Sequence, residues 1–194
     1  MNHKIAYKNF AVILALLVVT LFCKAQDDKY ADAYVCQKGK INFFSKSALE
    51  NIDATSNTAV CVLNTKSKKV YTKVKQTSFT FKDKLMQEHF NENYMESEKY
   101  PFSVLDMVIA EDIDFTKDGT YDVTLKGTLE MHGVKQDREI KGKLTIKNGQ
   151  PANGNAEFMV KLADHKIRIP SVVGANIAED VKVTVDFNFE KFHK

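Results

Sequence analysis

Residues 119–149 read GTYDVTLKGTLEMHGVKQDREIKGKLTIKNG, and this stretch decides the fold class. Apolar and polar residues alternate along most of it, which is the period of a β-strand with one buried face and one solvated face. The dipeptides His-Gly at 132–133 and Asn-Gly at 148–149 are turn signals, because their glycines accept the positive φ that tight turns need. The stretch therefore predicts two antiparallel strands, at about 120–131 and 137–147, joined by a short turn.

The same alternation continues along the chain and is clearest over 181–189, where every second residue is apolar. Asp-Gly at 118–119 and Asn-Gly at 153–154 predict further turns. The apolar positions change from even to odd numbers across 74–79, and again across 162–167. A β-bulge at each place would shift the parity and bend the strand, as a closed sheet requires.

These patterns predict an all-β fold in which eight antiparallel strands close into a barrel. Closure is favourable because it removes the exposed edges of the sheet. The strands are expected at about 33–45, 59–64, 69–81, 102–115, 120–131, 137–147, 156–169 and 181–192.

One segment departs from the strand pattern, because its apolar residues fall at helical spacings between Asp83 and Glu98. Asp83 is placed to cap the start of a short helix, and Pro101 to stop it before the next strand. The apolar stripe of such a helix needs burial, so we expect the helix to cross the barrel or to cover one end. The stripe comprises Leu85, Met86, His89, Phe90 and Tyr94.

The N-terminus has the features of a secretory signal: a basic start, an apolar run over 10–23 and a small residue at Ala25. We therefore predict that residues 1–25 are removed and that 26–194 form a single domain, periplasmic or secreted. Lipid modification of Cys23 is the alternative, although Leu and Phe stand where that reaction needs small residues. We expect no membrane-spanning segment in the mature chain, since a spanning helix needs about 20 apolar residues.

The charge of the mature chain argues against a nucleic-acid partner. The whole chain has 28 Lys and Arg against 25 Asp and Glu, and three of the lysines lie in the leader. Removing them leaves 25 basic residues, from 28 minus 3, and 25 acidic ones, so the mature chain is formally neutral. A protein that neutralises phosphates needs a surplus of basic residues.

Two cysteines of the mature chain, Cys36 and Cys61, fall in predicted early strands. An exported protein meets conditions in which a disulfide can form, so either a bridge between them or two buried thiols is consistent with the sequence. Neither cysteine has the Cys-x-x-Cys context of a redox site.

We find no pattern that predicts catalysis, a metal site or a cofactor. His89 and His132 lack a second ligand at the spacing that zinc sites use, and no nucleophile motif is present. The glutamates between 88 and 98 recur at helical spacing, which is typical of a solvated face. The sequence therefore predicts a protein that is not an enzyme, with no catalytic residues, no metal and no cofactor.

Three segments resemble the YceI-like family. Residues 81–101, FKDKLMQEHFNENYMESEKYP, are similar to the family's crossing segment, a strand and short helix followed by Tyr-Pro. GTLEMHGV at 127–134 resembles its Gly-x-Leu-x-x-His-Gly-Val hairpin, and GKINFFS at 39–45, followed by 49–54, is similar to its opening strand. Phe102 and Lys135 depart from the family pattern. These departures leave the fold prediction unchanged but weaken any prediction of which lipid is bound.

The resemblance implies a lipocalin-like barrel. It also implies non-catalytic binding, transport or storage of an elongated apolar lipid, isoprenoid-like or other long-chain, along the barrel axis. An eight-stranded barrel can also be filled by its own side chains, so an exported interaction or stress-protection protein without cargo is the alternative. The oligomeric state is open, and a homodimer is compatible with the sequence. From the apolar strand faces and the helical stripe, the expected lining is Phe43, Phe81, Leu85, Met86, Phe90, Tyr94, Met131, Phe158, Val183 and Phe187.

Overall fold

A computed structural model describes residues 30–46, 51–168 and 180–193. The expected leader, 1–25, lies outside these residues. The described part forms eight long strands, two strands of two residues and one short helix, α1 (Lys84–His89). The strands are β1 (Ala33–Ser45), β2 (Ile52–Asn64), β3 (Lys69–Lys75), β4 (Thr80–Phe81), β5 (Phe102–Ile109), β6 (Gly119–Met131), β7 (Val134–Lys147), β8 (Gln150–Lys161), β9 (Asp180–Asn188) and β10 (Glu190–Lys191).

The eight long strands close into an antiparallel barrel, which confirms the predicted fold. They follow the order β1, β9, β8, β7, β6, β5, β3, β2, and the pairing of β2 with β1 completes the ring. The short strands extend neighbours, since β4 pairs with β2 and β10 pairs with β1. Because β1 ends where β5 begins and where α1 lies, we call this the helix end of the barrel.

Strand β2 begins at Ile52, seven residues before the predicted start at 59, and β5 ends at Ile109 rather than near 115. The early half of β2 is polar and gives no alternation signal. Its polar groups are nevertheless paired, because the Asn42 side chain of β1 donates to Asp53 at 2.5 Å and to Thr55 at 3.0 Å. Cross-strand bonds of this kind replace the apolar face as the reason for pairing.

The predicted turn at Asn153-Gly154 is wrong, because both residues lie inside β8, which runs from Gln150 to Lys161 rather than from 156 to 169. The Asn153 side chain donates to Asp186 at 2.7 Å and to Asn188 at 3.0 Å, both on β9. A ring of Phe189 lies 3.1 Å from the position of a Cβ at Gly154. Pairing on both sides and close ring packing therefore override the turn propensity of Asn-Gly.

The two parity changes arise from short 3₁₀ turns, Gln76–Ser78 and Leu162–His165, and the predicted β-bulges at these places are wrong. The residues of a 3₁₀ turn leave the hydrogen-bond ladder of the sheet and rotate the chain. Beyond the turn, inward-facing residues therefore fall on odd instead of even sequence numbers. Register shifts occur elsewhere, beside Gly39 in β1 and between Thr145 and Ile146 in β7.

The predicted hairpins at 132–133 and 148–149 are confirmed. His132 and Gly133 have φ of 52° and 71°, and Asn148 and Gly149 have φ of 54° and 67°. Positive φ at both central residues is the two-residue turn that matches the twist of paired strands. A side chain at Gly133 would meet the Tyr100 ring at 2.5 Å, so glycine is also required by packing.

The predicted helix is confirmed but is shorter than the stripe suggests. Asp83 caps it, since the Met86 amide donates to the Asp83 carboxylate at 2.8 Å. After His89 the chain widens into a π-helical turn, Phe90–Tyr94, instead of continuing to residue 98. No helix in the described ranges combines the length and apolar character needed to cross a bilayer.

Candidate functional site

The helix-end half of the barrel contains a cavity of about 160 Å³. Side chains from every long strand except β7 line it, and α1 with its π-helical turn closes part of the wall. The lining is apolar except for Tyr94 and four small or amide side chains, and it contains no charged residue within the described part of the chain. These four are Ser45, Thr72, Gln76 and Ser103.

Eight of the ten residues predicted as lining lie at this cavity, and their contact with a ligand stays a prediction. They come from five strands, from α1 and from the turn that follows it. The eight are Phe43, Phe81, Met86, Phe90, Tyr94, Met131, Phe158 and Val183.

Phe187 lies instead at a second chamber of about 60 Å³ toward the other end of the barrel. Its ring covers Gly39 of β1, where any Cβ would approach within 2.3 Å of the ring. The two chambers share four lining residues, Thr72, Leu105, Phe158 and Val185. They are therefore successive spaces along one barrel interior.

Leu85 is a correction to the predicted lining, because its side chain is 58% exposed and does not reach the cavity. Adjacent residues of a helix point about 100° apart, and here Met86 faces the cavity while Leu85 points to solvent. The inward face is formed by Met86, Phe90 and Tyr94, which follow one another at spacings of four.

Phe90 fixes the helical segment to the barrel through three rings. Its centroid lies 5.3 Å from that of Phe43, 5.9 Å from Phe79 and 5.0 Å from Phe81. Aromatic pairs at these separations are favourable in stacked and edge-on arrangements. A further link is the Phe81 amide, which donates to the Gln87 side chain at 3.2 Å. Sequence reasoning missed Phe79, although it shares the parity of Phe81.

The polar lining residues differ in their hydrogen bonding. The Thr72 hydroxyl donates to the Cys61 sulfur at 3.2 Å, and the Gln76 amide donates to the Ser103 hydroxyl. The Ser45 hydroxyl is buried and has no hydrogen-bond partner among the residues that the structure describes. Parity could have identified these residues, since Ser45 continues the inward positions of β1 and Gln76 those of β3.

Cys36 and Cys61 are direct cross-strand neighbours on β1 and β2. Both are buried free thiols in this structure. Burial raises the pKa of Cys61 to about 12, against a smaller lowering by its bond from Thr72. Burial also raises the pKa of Cys36. The thiolate fraction of both is therefore small at neutral pH, which does not suit a nucleophile.

Of the two histidines considered for chemistry, His132 is hydrogen-bonded between turns and His89 is exposed at the end of α1. His132 Nε2 lies 2.7 Å from Glu96 and Nδ1 lies 3.2 Å from the His165 carbonyl, so this side chain clips the β6–β7 turn to two other turns. His89 ends α1 on an exposed surface. Residues 30–46, 51–168 and 180–193 contain no cluster of three side chains suited to hold a metal ion.

Solved structures share this fold at low sequence identity. A polyisoprenoid binding domain from Saccharophagus degradans, described as implicated in plant cell wall breakdown, matches with a TM-score of 0.64 and 13% identity, over 84% of this chain and 99% of that chain. Burkholderia cenocepacia BcnA matches with a TM-score of 0.59 and 14% identity, over 77% and 94% of the two chains. The Campylobacter jejuni YceI protein matches with 0.54 and 18%, over 71% and 81%.

The chain has no significant match among curated proteins. The family model of the YceI-like domain matches residues 36–189, which include β2 to β9 entirely and most of β1. The matched range covers the inserted helix, the His-Gly hairpin and nearly all of the closed barrel described above. The chain therefore belongs to the YceI-like family.

Proposed function

We propose that this protein is a non-catalytic carrier or store of an elongated apolar lipid, isoprenoid-like or other long-chain. The observation behind the proposal is the cavity at the helix end, whose lining is almost wholly apolar. Hydrocarbon gains about 0.8 kcal/mol for each CH₂ removed from water, and an apolar cavity of this kind favours hydrocarbon over water. The presence of this apolar chamber supports a carrier over a barrel filled by its own side chains.

The dimensions suggest how a long chain is accommodated. A cavity of about 150 Å³ takes a six-carbon ring, so the helix-end cavity of about 160 Å³ takes only part of a long lipid. The rest of the chain would continue along the axis into the second chamber, past the residues that line both: Thr72, Leu105, Phe158 and Val185. Side chains between the chambers must shift to make the passage continuous.

We assign α1 and its π-helical turn as the gate for this lipid. They form part of the cavity wall but lie outside the hydrogen-bond ladder of the sheet. Opening them breaks the ring contacts of Phe90 and the bond between Phe81 and Gln87, but no strand pair. Local opening of this kind costs less than disrupting the barrel.

The comparisons support the class of ligand. The Saccharophagus degradans domain of the same fold is described as binding polyisoprenoid, which is a long apolar chain. The YceI-like assignment and the basic, apolar start of the sequence also fit our proposal of an exported protein with a leader over residues 1–25.

Native mass spectrometry of protein purified from its host, followed by lipid extraction, tests the proposal. We expect an adduct with the mass of a long-chain lipid, released when the protein unfolds. A matched sample of the Phe158→Asp variant should lack it, because an unpaired carboxylate in the cavity opposes hydrocarbon. Wild-type protein that carries no lipid, and takes up none from host extracts, would contradict the carrier function.

A further inference from the structure

We propose that Ser45, Gln76 and Ser103 form a head-group subsite at the helix end of the cavity, which binds the uncharged oxygen of an alcohol or carbonyl lipid. The inference rests on the proposed lipid-binding function and specifies the chemical class of the ligand. It predicts that a neutral long-chain lipid with one oxygen is preferred over both a plain hydrocarbon and an anionic lipid.

Ser45 gives the first indication. It is the last residue of β1, lines the cavity and is only 2% exposed. Its hydroxyl has no partner within the described residues, whereas buried polar groups are nearly always hydrogen-bonded. A hydroxyl held in this position is suited to bond a polar atom of a ligand in the cavity.

Gln76 and Ser103 add two further polar groups. The Gln76 side chain is also 2% exposed, and its backbone amide donates to the Pro101 carbonyl at 2.9 Å, which fixes it against the start of β5. Its side-chain bond to Ser103 uses one of two N–H donors of the amide. The amide and the serine hydroxyl together therefore retain capacity to donate to or accept from a ligand oxygen.

The topology places these groups at the same end of the barrel. Ser45 ends β1, Gln76 directly follows β3, and Ser103 is the second residue of β5, and all three positions lie at the helix end. Thr72 lies deeper, and its hydroxyl is already bonded to Cys61. Hydrogen-bonding groups that remain available to a ligand are thus concentrated at the helix end. This orients a lipid with its head at the helix end and its tail toward Phe187.

The absence of charge in the lining selects against an anionic head. No Lys, Arg, His, Asp or Glu lines the cavity in the part of the chain that the structure describes. A phosphate or carboxylate buried there would lack a counterion, which strongly disfavours it. A hydroxyl or carbonyl needs only the hydrogen bonds that Ser45 and Gln76 offer.

The test uses phytol, phytyl phosphate and phytane, which share one branched chain and differ in the head. Delipidated full-length mature protein is offered pairs of these lipids, and native mass spectrometry gives the ratio of the complexes. We expect phytol to bind roughly threefold to tenfold more tightly than phytane, as one or two net neutral hydrogen bonds allow, and phytyl phosphate to bind more weakly than phytol.

Ser45→Ala should bring the affinity for phytol close to that for phytane and leave phytane binding unchanged. Its melting temperature should not fall, because no hydrogen bond within the described protein is lost. Ser45→Thr restores the hydroxyl and should restore the preference. Ser56→Ala is the matched control: Ser56 is buried, bonds Ser78 at 2.7 Å and lies outside the cavity lining. It should lower stability and keep the preference for phytol.

The outcomes separate this inference from the proposed function. The subsite is overturned if Ser45→Ala prefers phytol over phytane as strongly as the wild-type protein does, or if the wild-type protein prefers phytyl phosphate over phytol. Either result leaves the carrier function standing. Failure of wild-type protein to bind any of the three lipids contradicts the carrier function and the subsite together. Loss of the phytol preference in Ser45→Ala alone, with phytane binding intact, supports the subsite.

Discussion

Phe90→Ala tests whether the helical segment is a gate. The substitution removes a ring that contacts Phe43, Phe79 and Phe81 at centroid distances of 5.0 to 5.9 Å. At fully buried sites, Phe→Ala costs about 3 to 5 kcal/mol. Phe90 is only partly buried and its segment lies outside the hydrogen-bond ladder. We therefore expect the substitution to destabilise the closed position of the segment, relative to the open one, by about 2 kcal/mol.

The two observables should respond differently. If the lipid leaves through the opened helical segment, lowering the free energy of opening by about 2 kcal/mol raises the open population about 30-fold. The release rate should rise by the same factor. The free energy of global unfolding should fall by no more than about 2 kcal/mol. For a domain of this size, that lowers the melting temperature by roughly 4 to 8 °C at most. Release is followed by transfer of a loaded lipid to acceptor vesicles, and melting by circular dichroism.

Leu85→Ala is the matched control, because Leu85 is on the same helix but 58% exposed and away from the cavity. It should change stability by less than about 0.5 kcal/mol and leave the release rate within about twofold. A Phe90→Ala protein that melts earlier but releases lipid at the wild-type rate would show that the ring is core packing and that the lipid leaves by another route.

Three further predictions rest on the structure and a fourth on the sequence. Phe158→Asp should abolish lipid retention, folding or both, because it places a carboxylate between the two chambers; wild-type lipid content and melting would contradict this. Burial lowers the pKa of His165 below its ordinary 6.5, so the unfolded chain takes up a proton first as the pH falls, and the free energy of unfolding should decrease below about pH 6.5. Urea titrations of wild type and His165→Gln measure it, and equal pH slopes would refute the assignment. Cys36 and Cys61 should resist iodoacetamide in the folded state, since burial raises both pKa values, and should form a bridge only when an oxidant is present during folding; rapid native alkylation, seen by mass, would disprove this. N-terminal sequencing of exported protein should begin at Gln26, whereas a lipidated cysteine at the new terminus would overturn the predicted cleavage.

The barrel was predictable from sequence because its cause is local. Alternation along 181–189 and positive-φ glycines at 133 and 149 report strand faces and turns directly. The failures occur where a residue's partner is distant in sequence. Asn153-Gly154 has the composition of a turn, but its strand is paired through Asp186, which no local pattern indicates.

The lining was predictable only in part, for two physical reasons. A helical stripe gives spacing but not width, so Leu85 and Met86 look equivalent although only Met86 reaches the barrel. Polar residues at inward positions are also discounted by a search for apolar faces. Ser45 and Gln76 therefore escaped notice, although each continues the parity of an inward-facing strand.

In the proposed carrier, the two halves of the barrel divide stability from binding. Fully buried Leu63, Met107 and Ile146 lie near the end opposite the helix, where packing is tight and the chamber is small. The larger cavity lies at the other end, against a wall whose helical part is held by ring contacts. Closure of the ladder stabilises the fold without requiring the helix end to be filled. A carrier needs this arrangement, because its ligand must replace packing that the rest of the core does not depend on.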